Sequence, residues 1–477
     1  MTAAPHVTPV PEILTFGAAE TARRLRACEF SSHELITALL ERIEDVNPRV
    51  NAIRVVLAEQ ALSAAREADR RLAVGRPVGP LDGVPITVKE NVDVAGSATT
   101  QGVAALAHAI APADAPSVAN LRRAGAIPLA RTNMPDFALR WHTDSGIAGA
   151  TLNPWDADLT PGGSSGGDAV GLATGMSLLG VGTDLGGSLR WPSQCAGTAA
   201  LRPTLGRIPQ AQSIEPTANP IGLQLLDVHG PMARRIEDLR LALGVMSAPD
   251  PRDPWHCPVG PAYAPARPRR VHVITEMDDV HIEPAVLAAV EHAAGVLEAA
   301  GYEIHDEAPP GLDEASAAWA GMMAGDARRA WPTLEQLASA GGRRFMESMF
   351  ALVPPHGPDA YAELFTIRQR LGRSWGEYQR ATPLILAPIF AGRAFAAGSD
   401  LDGSAATRHI VDSLRATLVV NLLGLPSVAV PTGLVDGLPQ AVQLIGPRFG
   451  EELCLQAAET IEAAHGKILP INPWSRP

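Results

Sequence analysis

Lysine is almost absent from this sequence. Of its 39 basic residues only Lys89 and Lys467 are lysines, and all the others are arginines. An arginine serves as a surface cation as well as a lysine does, but a lysine amine can lose its proton in a protein and a guanidinium cannot. A chain that uses arginine almost everywhere needs a reason to keep Lys89, and we interpret that reason as proton transfer. Lys467, near the end of the chain, is interpreted as a chance survivor.

Cysteine is also scarce, and the four cysteines are widely spaced: Cys28, Cys195, Cys257 and Cys454. Their spacing excludes a CxxC metal site, and their number is too small for a disulfide scaffold. Reduced thiols in a cytoplasm fit this pattern best. The first residues lack the basic and apolar regions of a secretory signal, which favours the same compartment.

Runs of positive charge and long apolar runs are both missing. No run of Lys and Arg exceeds two residues and the formal net charge is -12, so the basic surface that a nucleic acid requires is not expected. The longest apolar stretches, 384–397 and 418–435, are interrupted by proline and polar residues, so neither could span a membrane. With 46% hydrophobic and 19% charged residues, the chain is expected to be a soluble globular protein.

Glycine is abundant, with 44 residues, and helix-like and strand-like patterns alternate along the chain. Ser31 and Glu34 form a capping box in front of an amphipathic pattern, which predicts a helix. Further on, 126–130 is strand-like, and 270–275, 285–300 and 302–305 follow as strand, helix and strand. Such alternation predicts an α/β fold.

Two loops rich in glycine and serine, 160–167 and 180–190, are the densest features of the sequence. The stretch between them favours a helix and then a strand, so the chain can leave a sheet and return to the same end of it. Ser164 and Ser188 can then face one pocket. Their glycine neighbours leave backbone N–H groups unobstructed, as is needed for donors aimed at an oxyanion.

Three other interpretations of these loops need weighing. Residues 162–166 match the GxSxG pattern of α/β-hydrolases, although a poor strand precedes them and no partner histidine stands out. A phosphate-binding loop would need a GxxxxGK[ST] spacing or a strand followed by GxGxxG, and neither is present. A purely structural pair of glycine-rich turns is the third interpretation.

Together with 81–91, which contains Lys89, the two loops closely resemble the amidase signature family in order and spacing. Residues 201–206 and 438–446 resemble its later motifs, so the likeness extends over nearly the whole chain. Members of this family hydrolyse amide bonds with a serine, a second serine and a lysine. The resemblance implies a single large α/β domain with a central mixed, twisted β-sheet covered by helices on both faces.

The same resemblance divides the domain, 1–477, into four parts. These are an N-terminal helical arm, a catalytic core, a helical insertion that packs on the core and lines the cleft, and C-terminal strands and a helix that complete the core: 1–75, 76–250, 251–390 and 391–477.

Carried over to this sequence, the resemblance makes Ser188 the nucleophile, Ser164 the bridging serine and Lys89 the proton acceptor and donor. A serine hydroxyl needs an adjacent base, and an unprotonated amine in a desolvated pocket can serve through a hydroxyl relay. In the family the peptide bond before the bridging serine is cis, and no metal ion or organic cofactor is required. The oxyanion hole would consist of four backbone N–H groups, those of Leu185, Gly186, Gly187 and Ser188.

The sequence departs from the usual family wording at several positions outside this triad. Glu90, Arg131, Asp168 and Arg202 stand where relatives often have aspartate, lysine, serine and lysine. Trp191 stands where the tRNA-dependent amidotransferase members of the family usually have glutamine, which weakens that interpretation.

Apolar side chains in segments that line the cleft of relatives are the candidates for substrate binding: Met134, Phe137, Trp141, Trp191, Trp319 and Met322. They favour a hydrolase of aryl or hydrophobic carboxylic acid amides, with ester or carbamate (urethane) hydrolysis as a side activity. The expected partner is a small amide substrate, and the protein is expected to be a monomer or homodimer that binds neither membranes nor nucleic acid. Two alternatives are an A-type subunit of a glutamine-dependent amidotransferase complex and an amidase-like binding protein without catalysis.

Overall fold

A computed structural model describes residues 9–214, 218–259, 268–466 and 468–474, so Lys467 lies outside the described residues. The α-helices are α1 Ala18–Arg26, α2 Ser32–Val50, α3 Ala58–Ala73, α4 Pro116–Arg123, α5 Gly166–Ala173, α6 Arg190–Ala196, α7 Ile221–Leu226, α8 Ile236–Met246, α9 Pro284–Ala299, α10 Leu312–Leu337, α11 Ala340–Leu352, α12 Pro358–Ala381, α13 Ser404–Ser413, α14 Arg415–Leu423 and α15 Glu451–His465. The strands are β1 Ile53–Val56, β2 Pro85–Lys89, β3 Ile127–Thr132, β4 Asp144–Ser145, β5 Gly149–Ala150, β6 Leu179–Thr183, β7 Ala199–Arg202, β8 His229–Ala233, β9 Arg270–Val273, β10 Glu303–His305, β11 Leu384–Pro388, β12 Ser427–Val435 and β13 Leu438–Ile445.

One sheet of eleven strands organises the molecule, in the order β1-β3-β2-β6-β8-β7-β12-β13-β11-β9-β10. Strand β2 runs parallel to both β3 and β6, and β9 runs parallel to β10 and β11, whereas the other neighbours in the sheet are antiparallel. The sheet is therefore mixed, and the predicted α/β fold is confirmed.

Helices cover both faces of this sheet, as successive residues of its strands show. In β11, Leu384 and Leu386 belong to one buried cluster, whereas Ile385 and Ala387 belong to another. Side chains alternate between the two faces of a strand, so the two clusters lie on opposite sides of the sheet. The first cluster takes residues from α1, α2, α3, α8, α9 and α15, and the second from α6 and α10 to α14.

The start of α2 follows the predicted capping box. The Ser31 side chain accepts a hydrogen bond from the Glu34 N–H at 3.0 Å, and the Glu34 carboxylate accepts one from the Ser31 N–H at 2.8 Å. These two bonds satisfy N–H groups that have no partner inside the helix. The predicted helix is confirmed.

Strand β2, which ends at Lys89, is buried along its whole length. The fully buried guanidinium of Arg131, on β3, holds this end in place. It donates five hydrogen bonds within 3.3 Å, to the carbonyl groups of Val88, Lys89, Val92 and Ala98 and to the Ser97 hydroxyl. An arginine stands here because its planar fork of donors reaches several carbonyls at once, which a lysine cannot do.

All four cysteines lie in the described residues and are free thiols. In the same residues, no helix combines the length and the apolar character that crossing a membrane requires.

We expect Arg131→Lys to destabilise the fold although it preserves the charge. An ammonium group has three donors, so at least two of the five acceptors lose their partner, at a cost of about 3 kcal/mol. The measurement is the midpoint of urea unfolding, with Arg344→Lys, an exposed arginine on α11, as the matched control. Equal midpoints for the two variants would contradict the anchoring role of Arg131.

Candidate active site

Lys89 lies where the ends of two parallel strands meet. It is the last residue of β2, and Thr183 is the last residue of the neighbouring strand β6. The carboxyl ends of parallel strands open at the same edge of a sheet, which is the usual place for a site in such folds. The Lys89 Nζ donates to Ser164 Oγ at 2.7 Å and to Thr183 Oγ1 at 2.9 Å, and Asn91 also donates to that threonine oxygen.

The amine of Lys89 is fully buried, and its ionisation follows from that position. Burial lowers the pKa of Lys89 to about 8, because the charged form loses its hydration. Asp168, Asp227 and Asp184 act in the opposite direction, since their negative charges favour the ammonium form. A substantial fraction of the amine is therefore unprotonated at slightly alkaline pH.

Ser164 lies in the turn that precedes α5, and it is fully buried. The peptide bond between Gly163 and Ser164 is cis, the isomer that the resemblance implies. Glycine is required before this serine because a Cβ there would lie 2.7 Å from the carbonyl oxygen of Arg140 and 2.8 Å from the backbone nitrogen of His142.

Ser188 lies in the loop between β6 and α6, and 6% of its surface is exposed. Its carbonyl oxygen accepts a hydrogen bond from the N–H of Ser165 at 3.3 Å, so the two serine loops are in direct contact. Among the described residues, none makes a side-chain hydrogen bond with the Ser188 hydroxyl. The structure thus joins Lys89 to Ser164 directly and brings Ser188 to them through the backbone.

The buried carboxylate of Asp184 gives the Ser188 loop its shape. It accepts hydrogen bonds from the N–H groups of Gly187 and Leu189, at 2.8 and 3.2 Å, and from the side chains of Arg190 and Asn421. Arg190 in turn donates to the side-chain oxygens of Asn421 and Gln443 and to the carbonyl oxygen of Thr417: 2.6, 2.9 and 3.2 Å. Burial alone would raise the pKa of Asp184, but the charges of Arg190 and Arg202 hold it well below its usual range.

The four predicted oxyanion-hole donors are in different situations. The N–H of Gly187 is already donated to Asp184. Within the described ranges, no group accepts a hydrogen bond from the N–H of Leu185, Gly186 or Ser188. Three of the four donors are therefore available to an oxygen atom of a ligand.

Three indole groups hold this loop from behind. Trp319 Nε1 donates to the carbonyl oxygen of Leu185 at 2.9 Å, and Trp141 Nε1 donates to that of Gly186 at 2.8 Å. Trp191 Nε1 donates to the carbonyl oxygen of Trp141 at 3.0 Å. Because a peptide group is planar and trans, a carbonyl fixed on one side directs the next N–H to the other side. Trp319 thereby orients the N–H of Gly186.

A cavity of about 400 Å³ opens beside Ser164, Thr183 and Leu185. Of the six apolar residues predicted to bind substrate, Phe137 lines it. The other five are no more than 5% exposed and lie outside its lining: Met134, Trp141, Trp191, Trp319 and Met322. The prediction for these five differs from the structure because their side chains fill the core, and the indoles bond to backbone carbonyls and pack on one another.

The cavity is also more polar than the sequence predicts. Its lining includes amide, carboxyl and imidazole groups beside the apolar side chains of Phe137, Leu205 and Leu223: Asn91, Gln101, Gln210, Gln224, Asp227 and His229. An aromatic ring that binds here therefore meets apolar walls with hydrogen-bonding groups between them.

Asp227 and His229 are site residues that sequence reasoning missed. His229 begins β8 and lies opposite Thr183 in the β6–β8 pairing, and its Nδ1 is 2.9 Å from Ser117 Oγ. Burial lowers the pKa of His229 to about 4, so the imidazole is neutral, and burial raises the pKa of Asp227 to about 6. The available signal was two polar residues at the start of a strand, but its pairing with β6 could not be read from the sequence.

The arrangement combines a buried amine of lowered pKa, a hydroxyl relay and free backbone donors. An amine of this kind can take a proton from a serine hydroxyl, and free N–H groups can stabilise the oxyanion that forms when a carbonyl is attacked. In the described part of the chain, no group of three or more His, Cys, Asp or Glu residues is arranged to hold a metal ion.

Comparisons with known proteins agree with this chemistry. A family model described as Amidase matches residues 34–455. The indoleacetamide hydrolase of Bradyrhizobium diazoefficiens is 38% identical over 471 residues, which cover 98% of this chain and 89% of that protein. The A component of the glutamyl-tRNA(Gln) amidotransferase of Halorhodospira halophila is 35% identical, with 96% and 97% of the two chains covered.

Solved structures show the same fold. A bacterial aryl acylamidase of the amidase signature family is 25% identical with a TM-score of 0.82, over 98% of this chain and 100% of that chain. A fatty acid amide hydrolase is 24% identical with a TM-score of 0.85, over 95% of this chain and 86% of that chain. The second likeness supports the fold alone.

We expect Asp184→Asn to destabilise the protein by about 3 to 5 kcal/mol at pH 7, because it leaves the Arg190 charge buried without its partner. The pKa of Asp184 is lower in the folded than in the unfolded state, so its stabilisation is fully present above about pH 4 and is lost as the pH falls towards the folded value. Thermal unfolding of the wild type and Asp184→Asn at pH 7 measures the difference. Asp359→Asn, an exposed residue of α12, is the control, and a variant as stable as this control would contradict the central role of Asp184.

Proposed function

The chain belongs to the amidase family, and we propose that it hydrolyses aryl and other hydrophobic carboxylic acid amides to an acid and an amine or ammonia, through an acyl-enzyme on Ser188. Amide hydrolysis follows from the family. The observation that carries the residue assignment is the 2.7 Å hydrogen bond between the buried Lys89 amine and Ser164. The substrate class rests on Phe137 and the leucines of the cavity, and on the names of the indoleacetamide hydrolase and aryl acylamidase relatives.

In the proposed first step, Ser188 Oγ attacks the amide carbonyl carbon while its proton passes to Ser164, whose own proton passes to the Lys89 amine. The carbonyl oxygen becomes an oxyanion that the free N–H groups of Leu185, Gly186 and Ser188 can bind. Removal of one such donor typically costs about 3 kcal/mol of transition-state stabilisation.

In the second step the C–N bond breaks, and the proton returns from Lys89 through Ser164 to the departing nitrogen, which leaves as a neutral amine. Water then attacks the acyl ester of Ser188 and gives up its proton along the same relay. The acid is released and the Ser188 hydroxyl is restored. Lys89 must therefore alternate between its two protonation states within one turnover, which an arginine could not do.

The same cavity supports ester and carbamate hydrolysis as side activities, because both substrates present a carbonyl to the same nucleophile and oxyanion donors. The free thiols support a reducing cytoplasm as the place of action. We further propose that the protein acts as a monomer or homodimer. Identity of 35% to the A component of an amidotransferase makes a role within such a complex the second candidate.

Ser188→Ala and Lys89→Ala are each expected to lower kcat for an aryl amide by at least about 10³-fold, as is usual for residues that act as a unit. Lys89→Arg should be nearly as inactive, because a guanidinium keeps the charge but cannot accept a proton. Released amine is the readout, and Lys467→Arg, at the other lysine of the chain, is the control with wild-type activity. Near-normal turnover by Lys89→Ala would rule out the relay.

A panel of amides, anilides, esters and carbamates, tested on the purified chain alone, distinguishes the candidate functions. Hydrolysis of a simple aryl amide without any other protein would exclude an obligatory role within a complex. Labelling of Ser188 by a fluorophosphonate, absent in Ser188→Ala, would exclude a binding protein without catalysis. A chain that neither hydrolyses any amide nor reacts with the probe would contradict the proposed function.

A further inference from the structure

A buried carboxyl group with incomplete hydrogen bonding lies beside the strand that ends at Lys89. Asp168, in the first turn of α5, is fully buried. Its Oδ2 accepts a hydrogen bond from Thr132 Oγ1 at 2.8 Å, whereas its Oδ1 has no hydrogen-bond partner among the described residues. An uncompensated oxygen of this kind is costly to bury, so it calls for a reason.

The strand register places this carboxyl group next to Lys89. Thr132, its hydrogen-bond partner, lies opposite Lys89 in the β2–β3 pairing. On the other side of β2, Gly180 lies opposite Thr87, and a Cβ on Gly180 would be 3.1 Å from Asp168 Oδ1 and 3.5 Å from Thr87 Oγ1. Thr87 and Lys89 are two residues apart in one strand, so their side chains lie on the same face. Asp168 is therefore packed over the face of β2 on which the Lys89 side chain projects.

Several other charged groups surround Lys89, but their positions differ from that of Asp168. The Asp184 carboxylate is engaged with Arg190 and Asn421, and Asp227 lies on the cavity wall. The guanidinium of Arg131, on β3, donates to backbone carbonyls and to Ser97, the adjacent carboxylate of Glu90 forms an ion pair with Arg54, and His229, on β8, is neutral. Asp168 is the acidic group near Lys89 that is both fully buried and outside the cavity.

We propose, building on the amidase function above, that Asp168 is a positioning residue for Lys89, a buried counter-charge that sets the pH range in which the amine accepts a proton. Burial raises the pKa of Asp168 to about 7, and Asp168 is the strongest of the groups that raise the pKa of Lys89 against the lowering effect of burial. Relatives that resemble this chain often have serine at this position, which carries no charge. This chain therefore keeps its lysine more basic than a neutral neighbour would.

The test is the pH dependence of kcat/KM for an anilide substrate, in the wild type and in Asp168→Asn, which has nearly the same shape without the charge. The active form of Lys89 is the free amine, so activity rises with pH as the amine loses its proton. Removal of the negative charge makes the amine easier to deprotonate, and the rising limb is expected to move to lower pH by about one unit. KM at the plateau should change by less than about twofold, because Asp168 does not line the cavity. Asp168→Ser should shift the limb in the same direction.

An unchanged rising limb in Asp168→Asn, or a shift to higher pH, would overturn the proposal. If neither Asp168 variant folds, Thr132→Val decides: it removes the hydroxyl that stabilises the Asp168 carboxylate, so the limb should move in the same direction by a smaller amount, and no movement would refute the proposal. Asp359→Asn is the control with an unchanged limb. Failure of the amidase function itself would be recognised separately, since the wild type would then show neither anilide hydrolysis nor labelling of Ser188.

Discussion

The burial of one lysine amine is the constraint on which the rest of the site depends. A charged amine without water is unstable unless partners stabilise it, and the hydrogen bonds of Lys89 go to two neutral hydroxyl groups, those of Ser164 and Thr183. This environment lowers the pKa of the amine into the range where it can exchange protons. The parallel strands on both sides of β2, and the carbonyl contacts of Arg131, keep the end of the strand where the amine has to be.

The scarcity of lysine has a structural counterpart in buried arginines. The largest fully buried side chains include several arginines, and Arg234 is typical: it donates to the carbonyl oxygens of Leu172, Ser177, Leu14 and Phe16. A guanidinium can cross-link several backbone segments while it stays charged. Arginine therefore holds the interior of this protein together, whereas Lys89 occupies the one described position where the charge must be able to disappear.

Local patterns allowed prediction of the helix after Ser31, the α/β alternation and the encounter of Lys89 with Ser164, because capping residues, periodicity and glycine spacing act over short distances. The roles of the tryptophans could not be predicted. Whether Trp141 and Trp319 contact a ligand or the backbone depends on residues distant in sequence, and a buried indole needs an acceptor wherever the fold supplies one. Asp227 and His229 were missed for a related reason, since the neighbour of β6 is set by the sheet order and not by sequence proximity.

The contacts of Asp184 and Arg190 also have a consequence for the biosynthesis of the protein. The loop that carries Ser188 is held by Asn421 on α14 and Gln443 on β13, more than two hundred residues further along the chain. Lys89 and Ser164 leave the ribosome long before these partners exist. The nascent chain thus acquires its reactive serine loop only when translation is almost complete, so the order of synthesis keeps an unfinished chain from acting on amides in the cell.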